Sequence, residues 1–107
     1  MQKSETYRYA IRLAFHGASF SGWQIQPEQK TVQGELTIAL NSLLKEEVKI
    51  IGAGRTDTGV HALNYVAHFD TQKVIDQKDM VFRLNRFLPA RISVYEIKKV
   101  TDDFHAR

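Results

Sequence analysis

Gly52-Ala53-Gly54-Arg55-Thr56-Asp57-Thr58-Gly59-Val60-His61-Ala62 is the stretch around which this chain is organised. It contains three glycines and no apolar residue between Gly54 and Gly59. That composition is incompatible with the middle of a strand or helix, where glycine loses backbone entropy and has nothing to pack. Apolar runs flank it at 48–51 and 63–69. The pattern therefore predicts a tight loop, the central loop, that joins two rigid elements and presents side chains, as functional loops do.

The chain before the central loop begins with a strictly alternating stretch at residues 7–16. One face is apolar and the other is basic; the two sets are Tyr7, Tyr9, Ile11, Leu13 and Phe15, and Arg8, Ala10, Arg12, Ala14 and His16. A period of two is typical of a half-buried β-strand. The basic face is either a solvated sheet surface or a surface turned toward phosphates.

A glycine-punctuated loop at 17–27 then carries the only tryptophan, Trp23. An aromatic ring on such a loop either caps the edge of a core or stacks on a base, and both alternatives stay open. Thr31 is a predicted helix N-cap, because apolar residues recur behind it at three- and four-residue spacing. The helix is predicted to run to about Lys45, before a short strand at 48–51.

The chain after the central loop repeats this order of elements. Residues 63–70 alternate and predict a strand with Leu63, Tyr65, Ala67 and Phe69 on one face. Asp76 is a predicted cap for a helix that ends before Pro89. Its inward residues are expected to be Met80 or Val81, Leu84, Phe87 and Leu88, with Arg83 and Arg86 outward. Residues 92–100 predict a last strand, and their poor alternation indicates an irregular edge.

The predicted order is strand, helix, strand, strand, helix, strand. This is the split βαβ arrangement of an α+β, ferredoxin-like fold, with a four-stranded antiparallel sheet and both helices on one face. The other face of the sheet is left free to bind a partner.

Composition narrows the class of protein. A length of 107 residues suits one domain, and 43% hydrophobic with 25% charged residues is ordinary for a globular protein. The absence of cysteine excludes disulfides and thiolate metal sites and is compatible with a reducing cytoplasm. We find no signal peptide or membrane span and expect a cytoplasmic protein. A formal charge of +3 is consistent with a polyanionic partner.

Arg55 and Asp57 are the chemically distinctive pair of the central loop. A nearby guanidinium favours the ionised carboxylate, which can act as a nucleophile or stabilise developing positive charge. In the alternative, Asp57 only accepts amide hydrogen bonds in a turn. Residues 57–59 also match the Asp-Thr-Gly tripeptide of aspartic proteases. The polar residues before them and the two predicted helices disfavour the all-β fold of those proteases.

Other classes of site fit less well. A phosphate-binding P-loop needs Gly-Lys followed by Ser or Thr at the start of a helix, whereas this loop leads into a strand. The four histidines show no paired zinc spacing, so we expect no metal. The strand at 64–70 lacks the signature of an RNA-recognition motif.

Taken together, the motifs resemble the N-terminal half of a bacterial tRNA pseudouridine synthase of the A family. The matching blocks, in family order, are Phe15-His16-Gly17, Phe20-Ser21-Gly22-Trp23-Gln24-Ile25-Gln26, Thr31-Val32-Gln33-Gly34-Glu35-Leu36, Ala39-Leu40, Ala53 to Ala62, Val66-Ala67-His68-Phe69, Leu84-Asn85, Leu88-Pro89 and Asp103-Phe104-His105-Ala106-Arg107. They cover nearly the whole chain. Thr58 stands where the family commonly has Ala or Ser.

The resemblance implies a cofactor-free isomerase that converts uridine to pseudouridine in the anticodon stem-loop of tRNA. Asp57 matches the catalytic aspartate, and Arg55 matches the arginine that pairs with it. Further contacts to RNA are expected from Thr58, His61, Gln24, Arg8 and Arg12.

The resemblance also implies parts that this chain lacks. Proteins of the family are longer, work as homodimers, and have a second half that supplies a tyrosine from just beyond the 104–107 motif. We therefore expect the 107-residue chain to be an N-terminal catalytic domain with little activity alone. The alternative is a ferredoxin-like RNA-binding module without catalysis, in which Asp57 is a turn residue.

Overall fold

The computed structural model describes residues 6–16, 23, 31–54 and 62–106. Six elements follow one another in the predicted order. They are β1 (Tyr7–Phe15), α1 (Val32–Leu44), β2 (Ile50–Gly52), β3 (Ala62–Thr71), α2 (Gln77–Phe87) and β4 (Ile92–Val100).

The four strands form one antiparallel sheet in the order β2-β3-β1-β4. Strand β1 lies in the middle, with Tyr9 opposite Phe69 of β3 on one side and Lys99 of β4 on the other. This order and the two helices confirm the α+β, ferredoxin-like prediction. Strand β4 lies at an edge, and its register against β1 shifts between Arg12 and Leu13. Such a bulge accounts for the poor alternation of the last strand.

The core lies between the helices and one face of the sheet. Along β1 the alternate side chains Tyr9, Ile11, Leu13 and Phe15 are buried, as the period of two predicts. They meet the apolar stripes of the helices; the buried residues there are Val32, Leu36, Ala39, Leu40 and Leu44 of α1 and Met80 and Leu84 of α2. The opposite face of the sheet, here called the open face, carries Arg8, Ala10 and Arg12.

Both helices begin at the predicted caps. The Thr31 hydroxyl accepts a hydrogen bond from the amide of Gly34 at 3.2 Å, and the Asp76 carboxylate accepts one from the amide of Asp79 at 3.1 Å. Each such cap typically contributes about 1 kcal/mol. Lys45, with φ of 55°, ends α1 in the left-handed conformation.

The sequence prediction was wrong at the start of β2 and at Phe87. Strand β2 begins at Ile50 rather than Val48, because the amide of Val48 donates to Oδ1 of Asn41 at 2.9 Å instead of joining the sheet. Phe87 is 46% exposed rather than inward. Met80, Leu84 and Leu88 follow at four-residue intervals and fill the contact with the sheet, so Phe87 is left on the flank of α2.

Candidate functional site

The central loop connects β2 and β3, and these two paired strands form its base. Gly52 ends β2, so it belongs to the strand and not to the loop as the sequence suggested. The amide of Ala53 donates to the carbonyl of Val66 at 2.9 Å and extends the pairing of the two strands. The amide of Gly54 then donates to the Tyr65 hydroxyl at 2.9 Å, and that hydroxyl donates back to the Gly54 carbonyl. The first residues of the loop are therefore held against β3.

An aromatic cluster of Phe15, Trp23 and Tyr65 supports this base. The ring centroids of Trp23 and Tyr65 lie 4.6 Å apart, and Phe15 meets the edge of Tyr65 at 5.6 Å. Trp23 is only 3% exposed. Of the two alternatives for this ring, the one in which it belongs to the core is therefore confirmed. Trp23 and Tyr65 of this cluster pack next to Gly52, at the end of β2 where the central loop begins.

Gly52 is required by this packing. A Cβ atom at Gly52 would lie 2.5 Å from both Nε1 of Trp23 and the Tyr65 hydroxyl oxygen, well inside contact distance. The glycine content of the stretch had placed Gly52 in the predicted loop, and this close approach was not predicted. No local pattern reveals it, since Trp23 and Tyr65 lie on separate parts of the chain.

Removal of the Tyr65 hydroxyl tests how firmly this base is held. Tyr65→Phe is expected to lower the free energy of unfolding by about 1–2 kcal/mol, because the amide and carbonyl of Gly54 both lose a partner. Urea denaturation followed by circular dichroism measures the change. Tyr95→Phe on β4, where the ring is 51% exposed, is the matched control and should change little. Equal effects of the two substitutions would contradict this role of Tyr65.

The basic face of β1 is tied to the rest of the fold at Arg8. The guanidinium makes a two-pronged ion pair with Asp70 of β3, with Nε to Oδ1 at 2.8 Å and Nη2 to Oδ2 at 3.1 Å. Its Nη1 donates to the carbonyls of Asp102 at 2.9 Å and Phe104 at 2.6 Å. The hydrogen bond and charge of Asp70 raise the pKa of Arg8, and the same hydrogen bond lowers that of Asp70.

Arg12 is held much more loosely. Its Nη1 lies 3.4 Å from Oε1 of Glu96, and both side chains are 50% exposed. An exposed pair of this kind contributes about 0–1 kcal/mol, so its guanidinium can exchange partners readily. Lys98, opposite Ala10, extends the exposed positive charge on the open face.

Two residues of this face, Asp70 and His68, were not among the predicted site residues. Asp70 lies opposite Arg8 and His68 lies opposite Ala10 in the register of β1 and β3. His68 is buried at 1% exposure although it is on the open face. Its polar position in an otherwise apolar stretch was the available signal, but the segment that covers it was not predictable.

Comparison with known proteins decides the family. The family model described as tRNA pseudouridine synthase matches residues 11–107. The chain belongs to the tRNA pseudouridine synthase family. The match includes the whole central loop and the terminal motif at 104–107.

Several relatives in this family are named tRNA pseudouridine synthase A. The Aquifex aeolicus protein is 50% identical over 99 residues, which are 92% of this chain and 41% of that protein. The Bacteroides thetaiotaomicron protein is 51% identical over 100 residues, 94% of this chain and 37% of that protein. The Latilactobacillus sakei protein is 44% identical over 103 residues, which are 95% of this chain and 41% of that protein. The chain thus spans 37% to 41% of the length of these synthases.

The residues expected to act in this pseudouridine synthase family fall into two groups. Asp57, Arg55, Thr58, His61 and Gln24 lie outside the described residues, so their roles stay predictions. Arg8 and Arg12 lie on the open face, and their contact with RNA also stays a prediction. Within the described ranges, no group of three or more His, Asp or Glu residues is arranged to hold a metal ion. No helix in the part of the chain that the structure describes is long and apolar enough to cross a membrane.

Proposed function

We propose that the chain is the N-terminal catalytic domain of a tRNA pseudouridine synthase, with Asp57 as the nucleophile. The observation that carries the proposal is the central loop, whose Arg55 and Asp57 stand between β2 and β3 in a chain that belongs to this family. The packing of Gly52 on Trp23 and the bonds between Gly54 and Tyr65 fix the start of that loop. A carboxylate on a loop anchored in this way can be held close to a reacting atom.

The reaction replaces the bond between N1 of uracil and C1′ of ribose with a bond between C5 and C1′. Asp57 attacks the target nucleotide, either at C1′ or at C6 of the ring, and the uracil is detached, turned and rejoined through C5. The bond between Asp57 and the nucleotide breaks again before the product leaves, so the free carboxylate is regenerated. The hydrogen on C5 leaves as a proton, and a nitrogen of the ring gains one. No electrons are transferred, so the isomerisation requires no redox cofactor.

The target uridine is located in the anticodon stem-loop and must leave the stack before Asp57 can reach it. Extrusion of a nucleotide costs a few kcal/mol in lost stacking and pairing, about 3 kcal/mol. Arg55 pairs with Asp57 and takes the space that the base vacates. Thr58, His61 and Gln24 make further contacts with the RNA. The exposed cations Arg12 and Lys98 of the open face bind backbone phosphates, so affinity falls as salt rises.

The complete enzyme acts in the cytoplasm as a homodimer. The coverage of 37% to 41% of the relatives' length supports a division in which a second half completes the pocket. We therefore assign the activity to the full-length protein and expect the 107-residue chain to have little turnover alone.

Tritium release from tRNA labelled at C5 of uridine tests the proposal. The full-length protein is expected to release tritium and to bind tRNA in a gel-shift assay, and the 107-residue chain is expected to release little. The tRNA used must contain a verified target uridine. If a folded full-length protein binds this tRNA but releases no tritium, the synthase hypothesis is wrong and the protein is a non-catalytic RNA-binding module. Full turnover by the 107-residue chain would overturn the assignment of a missing second half.

A further inference from the structure

His68 is buried in a place where a sheet residue should be exposed. It points to the open face, opposite Ala10 of β1 and Ile51 of β2, yet its exposure is 1%. The segment 102–106 after β4 accounts for this burial. The Phe104 ring meets the His68 ring edge-on with centroids 6.1 Å apart, and the His105 ring lies at 4.7 Å.

A hydrogen bond defines the state of the His68 ring. The amide of Ala106 donates to Nδ1 of His68 at 3.1 Å. An imidazole nitrogen that accepts a hydrogen bond carries no proton, so the proton of the neutral ring is on Nε2. Nε2 is buried, and no described residue accepts a hydrogen bond from it.

Arg8 holds the same segment at two other points. Its Nη1 donates to the carbonyls of Asp102 and Phe104, while Asp70 fixes the other side of the guanidinium. Two side chains of the central strands β1 and β3 thus hold three backbone groups of segment 102–106. Arg8 binds carbonyls and cannot lose its charge near neutral pH, whereas His68 binds an amide through an atom that can be protonated.

We propose that His68 is a positioning residue that holds segment 102–106 across the open face through unprotonated Nδ1, and that a proton on this atom releases the Phe104–Ala106 end. The proposal goes beyond the assigned isomerisation, and its test requires neither RNA nor turnover. After protonation Nδ1 would be a donor facing the Ala106 amide, also a donor, so their hydrogen bond is lost. The new charge would moreover be buried beside the Arg8 guanidinium.

Among the residues that the structure describes, the charged and titratable groups around His68 come from three directions. Arg8 faces it from β1, Asp70 from β3 and His105 from the covering segment, while β2 contributes the uncharged Ile51. Burial lowers the pKa of His68 most, Arg8 and His105 lower it further, and Asp70 opposes them. Between this lowered pKa and the ordinary value of 6.5, the protein with segment 102–106 in place therefore binds fewer protons than the protein in which the Phe104–Ala106 end is released. The attachment of the segment to the open face weakens as pH falls through that window.

Nuclear magnetic resonance of the 107-residue protein tests the proposal directly. The imidazole nitrogens and the Ala106 amide are followed from about pH 7.5 to about pH 4.5, a range that brackets the ordinary histidine pKa. At the upper end we expect the proton of His68 on Nε2 and a protected Ala106 amide. On acidification the Ala106 and Phe104 signals should move with the same midpoint as the His68 ring, below 6.5.

Three histidine variants distinguish this role from general acid sensitivity. In His68→Asn, Oδ1 replaces Nδ1 as an acceptor that does not titrate, so the Ala106 amide should stay protected and its pH transition should vanish. In His105→Asn the transition should remain and its midpoint should rise, because one charge that lowers the His68 pKa is gone. His68→Leu removes the acceptor and should speed exchange of the Ala106 amide roughly five- to tenfold at neutral pH.

Three results would overturn the proposal. They are a proton on Nδ1 of neutral His68, an Ala106 amide whose protection does not change through the His68 titration, and a transition that persists unchanged in His68→Asn. The first two are read from the unsubstituted protein, so the outcome does not depend on the folding of any variant. Amides of β1 and β3 in the same spectra report whether the sheet itself remains intact.

Discussion

Asp57→Ala is expected to reduce tritium release from labelled tRNA by about four orders of magnitude or more, as removal of a catalytic nucleophile typically does. Asp57 is the only acidic residue between Gly52 and Ala62, so no neighbour in the loop can replace it. Binding of tRNA should change little, because phosphate contacts rather than this carboxylate supply most of the affinity. The full-length protein is used, with release and gel-shift assays on the same preparations.

Asp57→Asn separates the two roles that the sequence left open for this residue. Asparagine can accept the same amide hydrogen bonds in a turn, but its neutral amide is a poor nucleophile. We expect this variant to fold, bind tRNA and release no tritium. Glu47→Gln, which removes one exposed carboxylate after α1, is the matched control and should retain full release. Near-normal release by Asp57→Asn would mean that Asp57 is a turn residue.

Gly52→Ala is expected to lower the free energy of unfolding by about 3 kcal/mol, at the upper end of the cost of overpacking. The added Cβ would lie 2.5 Å from Nε1 of Trp23 and from the Tyr65 hydroxyl, and 2.6 Å from Cε2 of Trp23. Trp23 is buried against Phe15 and Tyr65, so it cannot move without opening the aromatic cluster. The displaced Tyr65 would also loosen its bonds to Gly54, and catalytic turnover of the full-length protein should fall together with stability.

Gly54→Ala provides the control, because a Cβ at Gly54 would meet no atom of the described residues within 4 Å. Its effect on the free energy of unfolding should stay within about 0.5 kcal/mol, as for surface substitutions. Urea denaturation of both variants, followed by tryptophan fluorescence, measures the difference. If the two glycines tolerate alanine equally, the close packing of Gly52 under the loop is not a constraint on the fold.

Much of the fold could be predicted because the relevant signals are local. The alternation of residues 7–15 predicted β1 and its buried face, and Thr31 and Asp76 marked the starts of both helices where the structure has them. The order of the elements then restricted the topology to the split βαβ arrangement. Errors arose where a local pattern competed with packing, as at Phe87, which lies at a suitable helical position but is displaced by Leu84 and Leu88.

The reactive residues of the candidate site could be predicted from the sequence, but the packing that holds the central loop could not. The spacing of Arg55, Asp57 and the loop glycines indicated a functional loop, and the family match covers that stretch. Whether Trp23 faced a base or the core depended on its contacts with Phe15 and Tyr65. No spacing rule predicts such a choice, because either position would leave the same sequence around the ring.

The sequence by itself determined the element order, the helix caps, the buried face of β1 and the membership of the family. Each of these depends on residues within a few positions of one another, or on motifs that can be matched directly. Only the tertiary structure decided that Gly52 packs on Trp23, that Arg8 is bound to Asp70, and that segment 102–106 covers His68. Arg8 and Asp102, which hold that segment in place, are separated by 94 positions in the chain. Contacts over such separations form only when the sheet brings β1, β3 and the end of β4 together, and local propensity carries no record of them.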